Sequence, residues 1–164
     1  MKTLLLIRHT KSDWSKIGQS DFDRPLKKSR EKDAKKIAEV IAEKKIQFQK
    51  IISSPAKRSL DTAKLFCKKW GRDKLEIELE ARLYECTHQE VLSVAHQIDN
   101  QIAAAVIFGH NPAFTDFTNL FTKKIIENVP TTGAICFEFD TDDWKKIKRN
   151  NASLKFFVFP KMYP

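Results

Sequence analysis

Short apolar runs alternate along the chain with stretches in which apolar residues recur at the helical period. Ala34, Ile37, Ala38 and Ile41, for example, share one face of a predicted helix, with lysines opposite. Strands alternating with helices predict an α/β fold, a three-layer sandwich with a mainly parallel central sheet covered on both faces. The predicted strands cover residues 2–8, 50–53, 75–78, 104–108, 134–139 and 154–159. The predicted helices cover residues 30–45, 55–70, 89–98 and 112–121.

The chain has the size and composition of one globular domain. Its 164 residues are 41% hydrophobic and 31% charged, and they contain no repeat and no linker-like segment. We therefore expect residues 1–164 to form a single domain. The apolar run from Leu4 to Ile7 is too short for a membrane span or a secretion signal, so we expect a cytoplasmic protein with no membrane partner.

Cysteine and histidine spacing gives no sign of a metal site or a disulfide. The three cysteines are scattered, and no two of the four histidines stand at ligand spacing beside a third ligand. We expect free thiols, no bound metal and no cofactor. The net charge of +9 favours anionic partners, but lysines on helix surfaces account for most of it.

Three polar clusters follow three of the predicted strands directly. Arg8-His9 ends the first strand, the segment from Ser53 to Arg58 follows the second, and Gly109-His110 follows the run at 104–108. Ligands of open α/β sheets bind beyond the carboxyl ends of the strands. If these strands are parallel, Arg8, His9, Arg58 and His110 point into one crevice.

Two predicted helix starts favour an anionic ligand in that crevice. Ser54-Pro55 and Asn111-Pro112 each place an N-cap residue before a proline at the first helical position. Helix N-termini attract anions, and the guanidinium of Arg58 matches the geometry of a phosphate. The implied ligand is a phosphoryl group.

These motifs, taken together, resemble the histidine phosphatase superfamily, which has the phosphoglycerate mutase-like fold. Within it, the chain is most similar to the short phosphohistidine phosphatases of the SixA type. At Lys27 and Arg30, relatives usually have Thr or Ser and Gly, which puts the local turn and the rim charge in question. The resemblance rests on Leu6-Ile7-Arg8-His9, Asp23-Arg24-Pro25-Leu26, Ser53-Ser54-Pro55 with Arg58, Leu83-Tyr84-Glu85, Gly109-His110-Asn111-Pro112 and Pro130-Thr131-Thr132-Gly133-Ala134.

The resemblance implies that His9 is the nucleophile, and that Arg8, Arg58 and His110 bind the phosphoryl group. We expect a protonated His110 to share in stabilising the transition state. An alcohol leaving group also needs a general acid, for which Glu85 is the candidate. A phosphoramidate such as phosphohistidine depends less on a strong acid.

The segment between residues 10 and 25 is the longest early loop, and it leaves alternatives open. Trp14 and Phe22 either shape the rim of the site or pack on the sheet. Arg24 either reaches a phosphate or anchors the loop through Asp21 or Asp23. Lys11 and Lys57 flank the motifs and favour acidic surfaces.

The sequence favours one function and leaves two others open. The favoured one is hydrolysis of phosphohistidine on proteins through a phosphorylated His9. The alternatives are hydrolysis of small phosphate esters, which requires an acid at Glu85, and binding of phosphoproteins without catalysis. Aromatic residues are not interleaved with basic ones on an exposed face, so no nucleic-acid partner is expected.

Overall fold

The computed structural model describes all residues, 1–164, and contains a six-stranded sheet with helices on both faces. The strands are β1 (Lys2–Arg8), β2 (Lys50–Ser53), β3 (Ile77–Leu79), β4 (Ala104–Gly109), β5 (Ala134–Phe139) and β6 (Ala152–Val158), and the helices are α1 (Glu31–Ala42), α2 (Lys57–Trp70), α3 (His88–His96) and α4 (Ala113–Phe121). The strands follow the spatial order β3-β2-β4-β1-β5-β6. Parallel pairing joins β3 to β2, β2 to β4 and β4 to β1, whereas β5 is antiparallel to both β1 and β6.

Alternate residues of the central strands feed two separate hydrophobic cores. Leu4 and Leu6 of β1 belong to the core under α3 and α4, and Leu5 and Ile7 belong to the core under α1 and α2. A buried strand with helices over both faces needs apolar side chains on both sides, which explains its continuous apolar run. The predicted α/β fold, three layers around a mainly parallel sheet, is confirmed.

The sheet register brings three chain segments out at one edge. Arg8 of β1 pairs with Gly109 of β4, and Ser53 of β2 pairs with Phe108. The ladder continues one step past the strands, because His9 N–H donates to the carbonyl of Gly109 at 3.0 Å. The residues that follow these strands therefore emerge side by side.

The helix starts differ from the prediction. The N-cap positions are Ala56 for α2 and Pro112 for α4, so both helices start later than predicted. The predicted capping side chains still accept backbone N–H groups there, Ser54 Oγ from Ala56 at 3.3 Å and Asn111 Oδ1 from Thr115 at 3.2 Å. The Ser54 hydroxyl also lies against His110, and the Asn111 amide ties α4 to the segment before β5. None of the helices combines the length and apolar character needed to cross a membrane.

Other ends of helices and strands differ from the predicted ends by one to three residues. The helix predicted over 30–45 is shorter because residues 28–30 form a separate turn, and the third strand begins only at Ile77. The polar connection between β5 and β6 also buries Trp144 completely, with its indole N–H bonded to the carbonyl of Ile102 at 2.8 Å.

Candidate active site

The carboxyl ends of the parallel strands surround a crevice of about 570 Å³. Arg8 ends β1, His9 follows it, and His110 follows β4. We call these three residues the floor. Arg58, in the first turn of α2, lies beside them. The thirteen lining residues are Arg8, His9, Lys11, Ser12, Trp14, Arg24, Arg30, Arg58, His110, Asn111, Asn128, Pro130 and Thr131.

His9 is held by its backbone neighbour in a single tautomer. Its Nδ1 lies 2.7 Å from the carbonyl oxygen of Thr10, which can only accept a hydrogen bond. Nδ1 therefore carries the proton, and the lone pair is on Nε2. Thr10 is fixed in turn, because its N–H donates to the Thr62 hydroxyl at 2.9 Å and its hydroxyl bonds that of Thr132.

Burial keeps the His9 imidazole neutral. The side chain is 92% buried by area, and this burial, with the positive charges of Arg58 and Arg8, lowers its pKa to about 4. The contact with the Thr10 carbonyl opposes the shift without cancelling it. At pH 7 His9 is thus an uncharged base with an available nitrogen lone pair.

His110 lies opposite His9, with ring centroids 5.3 Å apart. Its Nε2 is 2.8 Å from the Ser54 hydroxyl, and its Nδ1 is buried without a hydrogen-bond partner. Burial, His9 and Arg58 lower the pKa of His110 to about 3. These side chains alone therefore keep His110 neutral at pH 7, contrary to the protonated state that we expected.

Gly109 allows α4 to pack directly beneath the floor. A Cβ at this position would come within 2.6 Å of the Phe114 ring, too close for any real contact. The absence of a side chain here lets the chain turn from β4 into His110 while the Phe114 ring fills the space below.

Three of the arginines that line the crevice carry an Nε–H group without a partner. The Nε atoms of Arg8, Arg24 and Arg58 are all buried and make no hydrogen bond within the protein. Arg8 is anchored through its Nη1, which donates to the carbonyl of Val129 at 2.7 Å. These three Nε–H groups and the Nδ1 of His110 are therefore unpaired in side chains that line one crevice.

The loop from Lys11 to Leu26 forms one side of the crevice, and we call it the wall. A bridge between Ser12 and Leu26 closes its two ends. At its centre the Asp21 carboxylate accepts hydrogen bonds from Arg24 at 2.8 Å, Arg58 at 3.0 Å and the Tyr84 hydroxyl at 2.7 Å. One carboxylate therefore positions both arginines on this side.

Asp21 is ionised in this arrangement. Its partial burial alone would raise its pKa, but the hydrogen bonds from Arg24 and Tyr84 and the charge of Arg58 lower the pKa well below that of an ordinary aspartate. The same contact raises the pKa of Tyr84 to about 12, together with the burial of its hydroxyl. Asp21 is thus a fixed negative charge and Tyr84 a neutral phenol.

Neither aromatic residue of the wall lies in the sheet core. The Trp14 ring is 75% exposed, lines the crevice and stacks on the Arg24 guanidinium, with 3.5 Å between the ring centroid and Cζ. Phe22, 39% exposed, meets Tyr84 edge to face at 5.1 Å and does not line the crevice. Of the two alternatives left open, the rim position is observed for Trp14.

The family is decided by comparison with known sequences. The model of the histidine phosphatase superfamily (branch 1) matches residues 4–105, more than half of the chain. The chain belongs to the histidine phosphatase superfamily. Membership supports a phosphatase. The matched segment includes Arg8, His9 and Arg58, and His110 lies just beyond it.

Solved structures place this histidine phosphatase close to SixA proteins in fold. The SixA protein of Agrobacterium tumefaciens has a TM-score of 0.81 at 23% identity, covering 97% of this chain and 98% of that one. The protein histidine phosphatase SixA complexed with tungstate has a TM-score of 0.83 at 15% identity, covering 99% of both chains. At these identities the likeness concerns the fold.

Two further relatives are more distant in fold or in coverage. A mycobacterial glucosyl-3-phosphoglycerate phosphatase has a TM-score of 0.68 at 16% identity, covering 98% of this chain and 99% of that one. An uncharacterized chloroplastic protein of Arabidopsis thaliana is 40% identical over 63 residues. This match takes in 38% of the phosphatase chain and only 29% of the plant protein.

The histidine phosphatase crevice gathers most of the residues predicted from sequence, with one clear exception. Arg8, His9, Arg58 and His110 lie together, and Arg24 both lines the crevice and anchors the wall. Glu85, the predicted general acid, is exposed and does not line the crevice. Its backbone is left-handed, with a φ of 51°, directly after Tyr84.

The predicted flanking charges divide between the site and the outer surface. Lys11 and Arg30 line the crevice, whereas Lys57 lies outside it and pairs with Asp61 at 3.3 Å. From the sequence, Asp21 was expected only as a possible partner of Arg24. Its contacts with Arg58 and Tyr84, 37 and 63 residues away, had no sequence signal.

Proposed function

We propose that the protein hydrolyses phosphohistidine on proteins, through a phosphoryl group carried transiently on Nε2 of His9. The observation that carries this proposal is the chemistry of the crevice lining. It holds a neutral, correctly oriented histidine among cationic donors, and its thirteen residues include no aspartate or glutamate. The site is rich in groups that bind a phosphoryl group and poor in groups that protonate a leaving group.

The first step requires a nucleophile that is uncharged at neutral pH. His9 meets that requirement, because its pKa is lowered to about 4 and its tautomer leaves the lone pair on Nε2. This nitrogen attacks phosphorus, the new N–P bond forms, and the P–N bond to the substrate histidine breaks. Water then attacks phosphorus, which releases inorganic phosphate and regenerates His9.

The second requirement is stabilisation of the negative charge on the transferring group. The Nε–H groups of Arg8 and Arg58 are donors for its oxygens, and so is Nδ1 of His110 once protonated. A nearby anion raises the pKa of an imidazole, so a phosphoryl dianion favours that protonated form. Preorganised donors of this kind supply most of the catalysis in phosphoryl transfer.

The third requirement concerns the leaving group, and it distinguishes the substrates. An alkoxide must be protonated as it leaves, but Glu85 is outside the crevice and Asp21 is held ionised. The imidazole of phosphohistidine can carry a proton on its distal nitrogen and leave as a neutral molecule. A site without a carboxylic acid therefore suits phosphohistidine better than a phosphate ester.

The relatives agree with this proposal in part. One SixA structure of similar fold is that of a protein histidine phosphatase with bound tungstate, a tetrahedral oxyanion like phosphate. Another neighbour is a phosphatase of a small ester, glucosyl-3-phosphoglycerate. The direct test must therefore compare a P–N substrate with a P–O substrate.

The test measures phosphate release from a phosphohistidine-bearing protein and from a phosphoserine peptide. We expect the wild-type enzyme to prefer phosphohistidine, and His9→Ala to lose at least about a thousandfold in kcat, as other enzymes do without their nucleophile. His88→Ala, which changes a histidine outside the crevice, is the matched control and should keep wild-type activity.

Three results would overturn the proposal in different ways. Faster phosphate release from phosphoserine than from phosphohistidine would show that the preferred substrates are phosphate esters. Wild-type turnover by His9→Ala would remove His9 as the nucleophile. No release from either substrate, with tight binding of the phosphorylated protein, would indicate a binding module.

A further inference from the structure

Trp14 is the one residue among Phe, Tyr and Trp that lines the crevice, and the mechanism above does not use it. It lies in the wall, with one ring face on Arg24 and 75% of its surface exposed. An exposed aromatic residue is not unusual in itself. Here, however, a rigid apolar surface borders an otherwise polar phosphate site.

The position of Trp14 relative to the floor matters for what it can contact. Attack by His9 Nε2 from the floor, in line with the breaking bond, directs the leaving group away from the floor and towards the mouth of the crevice. Trp14 lines the crevice at its solvent side, beside Arg24, whose Nε has no hydrogen-bond partner within the protein. The first part of the substrate beyond phosphorus is therefore within reach of the wall.

We propose that Trp14 is a specificity-determining residue that packs its open face against the planar ring of the leaving group. The inference rests on the proposed function and deepens it, because it explains selection of an imidazole over an aliphatic phosphoryl carrier. Planar rings stack favourably on an indole in offset or edge-to-face geometry. The Arg24 guanidinium under the opposite face fixes the indole, so little conformational freedom is lost on binding.

A merely supporting role for Trp14 makes a different prediction. If the ring only holds Arg24 in place, its loss lowers kcat/KM equally for every phosphoryl substrate. If the ring contacts the leaving group, its loss lowers kcat/KM only for substrates whose leaving group contains a ring. The two roles are separated by substrates with the same P–N bond and different leaving groups.

The experiment compares kcat/KM for phosphohistidine with that for phosphoramidate, which has a P–N bond but no ring. We expect Trp14→Ala to lower kcat/KM for phosphohistidine about three- to tenfold, the range of one aromatic pair, and to change phosphoramidate less than about twofold. Trp14→Phe should recover most of the loss. Ile17→Ala, on the same loop and 98% exposed, is the control and should change neither substrate.

Equal losses of kcat/KM on both substrates would show that Trp14 only supports Arg24. No loss on either substrate would show that Trp14 does not take part in substrate recognition. Both results would overturn the proposal. Failure of the proposed function has its own signature, because the wild-type enzyme would then hydrolyse neither P–N compound. In that case the comparison uses phenyl phosphate, whose leaving group is a ring, and ethyl phosphate, whose leaving group is not, in place of phosphohistidine and phosphoramidate. A Trp14→Ala loss confined to phenyl phosphate would still support ring recognition, and equal losses would overturn it.

Discussion

The floor and the wall of the crevice are built in different ways. The floor residues end or follow β1 and β4, and backbone pairing continues through His9 to Gly109. The wall is irregular, and it holds the two arginines through Asp21, whose carboxylate accepts from both and whose backbone carbonyl accepts from Arg58 at 2.6 Å. The floor is thus as rigid as the sheet, whereas the wall depends on a few side-chain contacts.

This difference assigns different tasks to the two regions. A nucleophile must be held at a fixed distance and orientation, which suits a strand end within the sheet core. Residues that contact the variable part of a substrate suit a loop, where substitutions do not disturb the core. Substitutions in the floor should therefore abolish turnover, and those in the wall should reduce or redirect it.

Arg58 belongs to neither region but touches both, and its loss should have the largest effect after that of His9. Arg58→Ala removes a phosphoryl donor and one partner of Asp21, so we expect kcat to fall about 10²- to 10³-fold, as for loss of one transition-state donor. Steady-state kinetics with phosphohistidine measures this. Arg72→Ala, just beyond the C-terminal end of α2 and outside the crevice, is the control, and an Arg58→Ala enzyme as active as this control would contradict the assignment.

Asp21 tests whether the wall depends on one carboxylate. Asp21→Asn keeps the size of the side chain and the backbone carbonyl contact to Arg58, but it removes the negative charge beside Arg24 and Arg58. We therefore expect kcat/KM to fall about tenfold, the value of one charge-assisted hydrogen bond. The matched control is Asp23→Asn, because Asp23 bonds Ser20 and neither arginine. Equal activity of the two variants would mean that the arginines hold their positions without the charge of Asp21.

Of the predicted changes in activity, the change with pH that arises from His9 in the floor should be the smallest. With a pKa of about 4, His9 remains about nine-tenths neutral at pH 5, whereas a histidine with an ordinary pKa of 6.5 would be about 3% neutral. The part of kcat/KM that depends on His9 should therefore change less than about 1.2-fold between pH 8 and 5. An NMR titration of the imidazole measures the pKa directly, and a midpoint near 6.5 would contradict the burial of His9.

The same shift makes the folded state less stable in mild acid. Between pH 6.5 and about 4 the unfolded chain binds a proton at His9 that the folded chain does not, so the free energy of unfolding falls as the pH falls. His110 acts in the same direction down to about pH 3. Urea denaturation at pH 7, 5.5 and 4.5 measures the slope, which should be shallower in His9→Gln.

Sequence patterns predicted the floor well because strand ends are local features. Arg8-His9 and Gly109-His110 directly follow continuous apolar runs, and parallel strands bring their carboxyl ends to one edge of a sheet. The chain order and the apolar periods therefore contained the information. The second contact of Ser54 had no such local signal, because its hydroxyl accepts the Ala56 N–H before α2 and also lies against His110, 56 residues away.

The wall could not be predicted in the same way, because its contacts join distant segments through side chains. Nothing near Asp21 in the sequence indicates that Tyr84 will donate to it. Glu85 illustrates the opposite error. It adjoins Tyr84, which bonds Asp21 of the wall, but Glu85 itself is exposed and does not line the crevice.

The carbonyl of Thr10 also fixes the chemical identity of the proposed intermediate. Because it occupies Nδ1 of His9, a phosphoryl group can bond only to the other ring nitrogen, which gives 3-phosphohistidine and not the 1-phospho isomer. The two isomers differ in their phosphorus chemical shifts and in antibody recognition. A trapped phosphoenzyme should therefore carry a single isomer, whichever isomer the substrate protein presents.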